Sequence, residues 1–203
     1  MSVKDDIIKF CSINGLDVMG FSECRIFHEL NPYFDKRKKL GLENEFEEKE
    51  LDKKINPFIY MEDGKTIISI AFPYLYDNDI SGKVYFSNYT MGRDYHLVLM
   101  EYMKKICTYI EGLGAKAMYF VDSNALPERY IASLCGLGFI GKNNMLITKR
   151  YGSYVFLGEI ITDLVIEPDE KVEQKCGDCE ICLSSCPTSA IVKGKVGINN
   201  NSN

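Results

Sequence analysis

Apolar positions recur along this chain with two periods, and each period predicts a kind of element. In Val3–Ile13, Ile7, Phe10 and Cys11 fall on one face of a helix that Gly15 stops. The longest helical pattern covers residues 95–113. There Leu99, Met103, Ile106, Ile110 and Leu113 alternate steps of four and three, and Gly112 and Gly114 close the pattern. Pro127 suits the first turn of another helix reaching Cys135. Residues 66–72, rich in β-branched side chains and bounded by Gly64 and Pro73, read as a buried strand. Residues 116–121 read as a second buried strand, closed by Asp122, and two more lie near 144–148 and 154–162. Helices alternate with strands, so the expected class is α/β or α+β. The charged tract 36–54 reads either as a solvated helical stretch or as a basic edge that touches phosphates. The Asn-rich end, residues 199–203, reads as a frayed tail.

Composition narrows the picture. With 46% hydrophobic and 26% charged residues, the chain is not a disordered protein, a collagen or a coiled coil. Its 203 residues suffice for one domain, or one domain with a small appendage. No apolar run approaches the roughly 20 residues of a membrane span, and the polar start Met1-Ser2-Val3-Lys4-Asp5-Asp6 has no signal-peptide core behind it. The expectation is a cytoplasmic protein without a membrane partner. The net charge of -5 is uneven, because residues 159–180 hold eight acids against two bases. The acidity belongs to one segment, so an RNA partner stays open.

Of the eight cysteines, four form the run Cys176-Gly-Asp-Cys179-Glu-Ile-Cys182-Leu-Ser-Ser-Cys186-Pro187. This is C-x2-C-x2-C-x3-C-P, the spacing with which bacterial ferredoxins hold a [4Fe-4S] cluster. Two-residue gaps let three thiolates converge on one cubane, while the longer gap swings Cys186 elsewhere. A four-cysteine zinc site is the competing reading, although zinc knuckles pair two short hairpins across a longer loop. In two-cluster ferredoxins the fourth cysteine serves the other cluster, and no second run exists in this sequence. Cys11, Cys24, Cys107 and Cys135 stand singly in apolar contexts and read as buried inert thiols.

Gly136-Leu-Gly138-Phe-Ile-Gly141 matches a dinucleotide fingerprint literally, but it follows a helix and leads into a strand, the reverse of the required order. It reads instead as a loop where backbone approaches a large ligand. Asp122 at a strand end is either a turn cap or a ligand-facing acid. His96 reads as a satisfied group, and His28 has no functional context.

Taken together, these stretches resemble epoxyqueuosine reductase, the cobalamin and iron-sulfur enzyme of tRNA queuosine synthesis. The resemblance rests on Gly92-Arg93-Asp94-Tyr95-His96, on Val121-Asp122-Ser123 with Pro127-Glu128-Arg129, and on the glycine stretch through Lys142-Asn143. It continues through residues 152–159, Thr162-Asp163-Leu164 and residues 176–191, covering the chain from about Ile55. It implies a nitroreductase-like, cobalamin-binding sheet flanked by helices over residues 1–168, and a partial ferredoxin-like segment over 169–203. It also implies reductive removal of the epoxide oxygen from epoxyqueuosine at the tRNA wobble position. Electrons would come from an external donor through iron-sulfur clusters to the cobalamin. The family's proton donor falls on Asp122, beside the cofactor. With the site closed over it, that carboxyl would be desolvated and held protonated. Ser87, Lys142, Asn143 and Leu157 fall on cobalamin contacts, and Cys176, Cys179, Cys182 and Cys186 on the metal ligands. Lys54 stands where the family often has Arg, and Phe139 replaces a frequent Trp. Because the family continues into a second cysteine run, this chain is expected to be interrupted and to need a missing C-terminal region or a partner.

Two other readings stay open. A non-catalytic electron-transfer protein would need iron and sulfide but no corrin. A relative of the corrinoid reductive dehalogenases would share the cofactors but take a halogenated small molecule. The context of Asp122 favours the tRNA enzyme.

Overall fold

Strand β2, Thr66–Pro73, is the axis of the fold in the computed structural model, which describes residues 2–75 and 86–191. The Asn-rich end lies outside the described residues. Seven of the eight β2 residues are buried, as its β-branched sequence requires. On one side β2 pairs with β1, Met19–Glu23, and on the other with β6, Val155–Thr162. Beyond β6 lies β3, Ala117–Phe120, giving the order β1-β2-β6-β3 with every pair antiparallel. A separate hairpin joins β4, Gly138–Ile140, to β5, Leu146–Thr148.

The period of two along each strand sorts side chains onto two faces. Ile68, Ile70 and Phe72 join Ile160 and Phe21 under two helices, α1, Val3–Ile13, and α4, Tyr95–Gly112. Those helices contribute Ile7 and Cys11, and Leu99, Met103, Ile106 and Ile110, the stripes expected from the sequence. A capping box between Ser2 and Asp5 starts α1. On the opposite face Ile67, Ala71 and Ile161 pack with Phe120 against a short helix, Glu128–Leu134, and against the hairpin. Burying each such side chain contributes roughly 1.5–3 kcal/mol. The result is a sheet between two layers.

An all-antiparallel sheet places the molecule on the α+β side of the expected class. It also removes the argument that put Asp122 at a ligand-binding strand end, because that rule belongs to parallel sheets. The strand near 116–121 is an edge strand rather than a buried one: Ala117, Met118 and Tyr119 are partly or fully exposed, since β3 pairs only with β6. The charged tract 36–54 is mostly exposed, as a solvated stretch should be, with Lys54 the buried exception. It holds two helices, Asn31–Lys39 (α2) and Leu51–Ile55 (α3), and between them the chain folds back so that its charges pair internally. Lys54, only 4% exposed, lies 3.1 Å from Glu47 and 3.6 Å from Glu43, while Arg37 takes the other Glu47 oxygen at 2.7 Å. The Glu128–Leu134 helix is α5 in chain order. Past β6, Asp169 fastens the chain to the outer edge of β1: its N–H donates to the Phe21 carbonyl, its carboxylate accepts from the Phe21 N–H, and Lys4 pairs with it at 2.6 Å. After it, the regular structure among the described residues is α6, Ile181–Ser184. Among the described residues no helix is long and apolar enough to cross a membrane.

Candidate active site

Asp122 stands with one residue between it and the end of β3, and takes φ = 49°, a left-handed conformation uncommon outside glycine. The strained turn projects its side chain over the start of α4. There the Tyr95 hydroxyl donates to Asp122 Oδ2 at 2.5 Å, and His96 Nε2 lies 3.6 Å from the same oxygen. Tyr95 is fixed in turn by stacking on Phe156, with ring centroids 3.9 Å apart and planes within 4°. Burial, then the bond to Asp122, raises the Tyr95 phenol well above its ordinary value. His96 is satisfied, as expected, by Asp94 at 2.9 Å. Asp122 itself has a side chain 45% exposed, so it faces solvent rather than a closed pocket.

The desolvated carboxyls lie behind it. Glu128, the first residue of α5, is half-buried. Burial and the adjacent Asp122 charge push it up to about 7. Glu159 sits mid-strand in β6, between Ser69 of β2 and Phe120 of β3, and is 1% exposed. One of its oxygens has only Ser69 Oγ at 3.5 Å, and the other has no hydrogen-bond partner among the described residues. Burial, then Glu128 and Asp122, raise it well above the usual carboxylate range. The expected desolvated acid is therefore found one and two carboxyls inward from Asp122. The sequence pattern gives neither glutamate a chemical role, although an acid interrupting the apolar run of β6 is the signal.

Asp122 and Glu128 border a cavity of about 300 Å³ whose far wall carries Tyr33 and Phe34 of α2 and Lys54 of α3. Such a volume suits a small ligand or a single base. On the other side of Tyr95 a second cavity, about 270 Å³, is lined by Tyr74, Tyr89 and Phe156.

The other candidates are dispersed. Leu157 is partly buried on the same face of β6 as Glu159. Ser87 is exposed and opens a helical turn beside exposed Phe86 and Tyr89. Asn143 Oδ1 accepts from the Met145 N–H at 3.1 Å, which shapes the turn between β4 and β5. Lys142 reaches the cysteine run: its N–H donates to Cys176 Sγ at 3.4 Å, and its ammonium donates to the carbonyls of Gly177 and Cys179 at 2.9 and 2.8 Å. The fingerprint glycines admit the chain itself and not a ligand. A Cβ on Gly136 would stand 2.5 Å from the Glu170 carbonyl oxygen, and one on Gly138 2.2 Å from that of Ile147.

Cys176, Cys179, Cys182 and Cys186 are free thiols, none of them buried. As a donor set they suit an iron-sulfur cluster, yet among the described residues no three Cys, His, Asp or Glu side chains are gathered as a metal cage. Backbone N–H groups near Ile191, with the Thr188 hydroxyl, bring the Cys186 thiol down to about 7. The scattered thiols are buried, as expected, and burial pushes Cys24 up to about 11 and Cys11, Cys107 and Cys135 to about 12.

Comparison with known proteins converges on one family. Residues 54–123 match the family model described as "Epoxyqueuosine reductase QueG, DUF1730". An epoxyqueuosine reductase of Lactococcus garvieae is 37% identical over 199 residues, covering 94% of this chain and 57% of the relative. The solved epoxyqueuosine reductase of Streptococcus thermophilus superposes with a TM-score of 0.86 at 36% identity, covering 95% of this chain and 54% of that one. An epoxyqueuosine reductase solved with an epoxyqueuosine-modified tRNA-Tyr stem loop superposes equally well at 32% identity, over 93% of this chain and 52% of that one. A catabolic reductive dehalogenase, 15% identical with a TM-score of 0.62, shares the fold alone. The chain spans about half the length of the curated relatives it matches. Over that span, sequence and structure agree in one likeness, that of this chain to the epoxyqueuosine reductases.

Proposed function

We propose that this chain carries the epoxide-reducing site of an epoxyqueuosine reductase, with tRNA bearing epoxyqueuosine at the wobble position as substrate and Asp122 as the acid. The observation that carries this reading is Asp122 itself, a strained residue at a cavity mouth whose carboxyl is aimed by Tyr95. Tyr33 and Phe34 offer rings on which a base can stack. Lys54, its charge balanced by Glu43 and Glu47, closes the wall without repelling or trapping a phosphate.

Cobalamin, fed by iron-sulfur clusters and an external electron donor, would supply the two electrons of the reduction when bound. Leu157 on β6 and Ser87 among exposed apolar side chains would meet its ring, with Asp122 beside it and Asn143 and Lys142 at its margin. Cys176, Cys179, Cys182 and Cys186 would bind a cluster, and Lys142 would hold that loop against the sheet domain. In this reading residues 1–168 form the nitroreductase-like cobalamin domain and 169–203 a partial ferredoxin-like segment, acting in the cytoplasm on tRNA. The remaining cluster ligands would come from a further C-terminal region or a partner.

The test uses anaerobically reconstituted protein loaded with cobalamin, iron and sulfide, and tRNA carrying epoxyqueuosine. Asp122→Asn is expected to keep the corrinoid absorbance and lose roughly 10²–10⁴-fold in turnover. Full turnover in that variant removes Asp122 as the acid. Iron uptake with no cobalamin binding would mark an electron-transfer protein instead.

A further inference from the structure

Converting an epoxide to an alkene and water consumes two electrons and two protons, whereas one carboxyl supplies one proton. We propose that Glu128 is a second acid of the site, a proton store that recharges Asp122. The proposal rests on the reading of Asp122 above.

Three carboxyls run inward from the cavity mouth, and their exposure falls along the way. Asp122 is exposed, Glu128 half-buried on the cavity wall, and Glu159 1% exposed in the middle of the sheet. The Asp122 backbone amide and side chain both lie against the Glu128 carboxyl. Asp122 therefore has beside it a second carboxyl that is half withdrawn from solvent. Glu159 closes the inner end, with one oxygen unpartnered and, among the described residues, no cation near enough to neutralise it. A carboxylate there has no compensation, so the inner pair retains protons.

Several elements face Glu128 among the described residues. Asp122 comes from the loop after β3, Glu159 from β6, and Tyr95 from α4. Lys54, across the cavity on α3, is already paired with Glu43 and Glu47. Arg129, next along α5, turns its guanidinium to the Asn144 carbonyl at 2.7 Å. Lys54 is thus committed elsewhere, while the Arg129 charge tempers the rise of Glu128.

The steps balance. The Asp122 carboxyl protonates the epoxide oxygen as the first C–O bond breaks, leaving a hydroxyl. The Asp122 carboxylate then takes the Glu128 proton and passes it to that hydroxyl as the second C–O bond breaks. Water departs and the C=C bond forms, the two electrons having come from the corrinoid and iron-sulfur reductant. Glu128 regains a proton from solvent once product leaves the cavity.

Side-chain carboxyl carbons of the whole chain, followed by ¹³C NMR against pH, test the store without turnover. Glu128, assigned with Glu128→Gln, is expected to titrate near neutrality. Its midpoint should fall by about one pH unit or more in Asp122→Asn. A wild-type midpoint in the ordinary range near 4.3 overturns the proposal. A midpoint unmoved by Asp122→Asn overturns the coupling of the two carboxyls. In the loaded enzyme Glu128→Gln should lower kcat roughly tenfold or more, leave KM for tRNA unchanged, and abolish the fall in rate above neutral pH. If Asp122→Asn is inactive while Glu128→Gln keeps the wild-type rate and pH profile, the store fails and the acid stands. If Asp122→Asn is fully active, the acid reading itself fails.

Discussion

A single carboxyl can make stability fall as pH rises, and Glu128 has the environment to do so. Its ordinary value is 4.5 and its folded value about 7. Between those two values the folded chain holds a proton that the unfolded chain has lost. The stabilisation is therefore complete below about pH 4.5 and disappears as pH rises through about 7. Denaturant midpoints of the wild type are expected to decline between about pH 5 and 7.5, and Glu128→Gln should flatten that decline. An unchanged slope in the variant would place the titrating group elsewhere. Glu159, in contrast, is a burden at residue scale. An uncompensated buried carboxyl is a feature that packing alone would replace with Leu or Met, so its presence argues for a chemical use.

Elements with strong periodicity are legible from the order of residues alone. The sequence patterns give α1 in full, and place α4, β2 and β6 to within a residue, because Ile, Val, Leu and Phe fall on one face or one run. Two strands are not legible in that way. β1 is Met-Gly-Phe-Ser-Glu, whose Gly20 and Ser22 break the apolar signal, and it becomes a strand because β2 offers its edge. β4 lies inside the glycine motif, where Gly138 is required by contact with β5 and not by a ligand. Gly138→Ala is therefore expected to destabilise by about 1–3 kcal/mol through overpacking against the Ile147 carbonyl, measured by chemical denaturation. A neutral effect would mean that the hairpin yields freely at that point. Of the candidate site, Asp122 and the cysteine run are legible as chemistry. The carboxyls behind Asp122 are not, because burial across a sheet is a property of pairing rather than of local sequence.

At the scale of the whole molecule, the cysteine run and the carboxyl site meet through one short turn. Lys142 holds the carbonyls of Gly177 and Cys179, and two residues later the Asn144 carbonyl accepts from Arg129 at the start of α5. Lys142→Ala should leave the exchange of sheet amides unchanged while speeding exchange of residues 176–180 roughly tenfold by hydrogen-deuterium exchange. Slow exchange throughout would show that the loop is held by other contacts. The turn acts as a ruler: the places of the thiol run and of the carboxyls are set by the same few peptide units. Lengthening it by one residue would throw both ends out of step together, so thiols and carboxyls share one short tolerance for error.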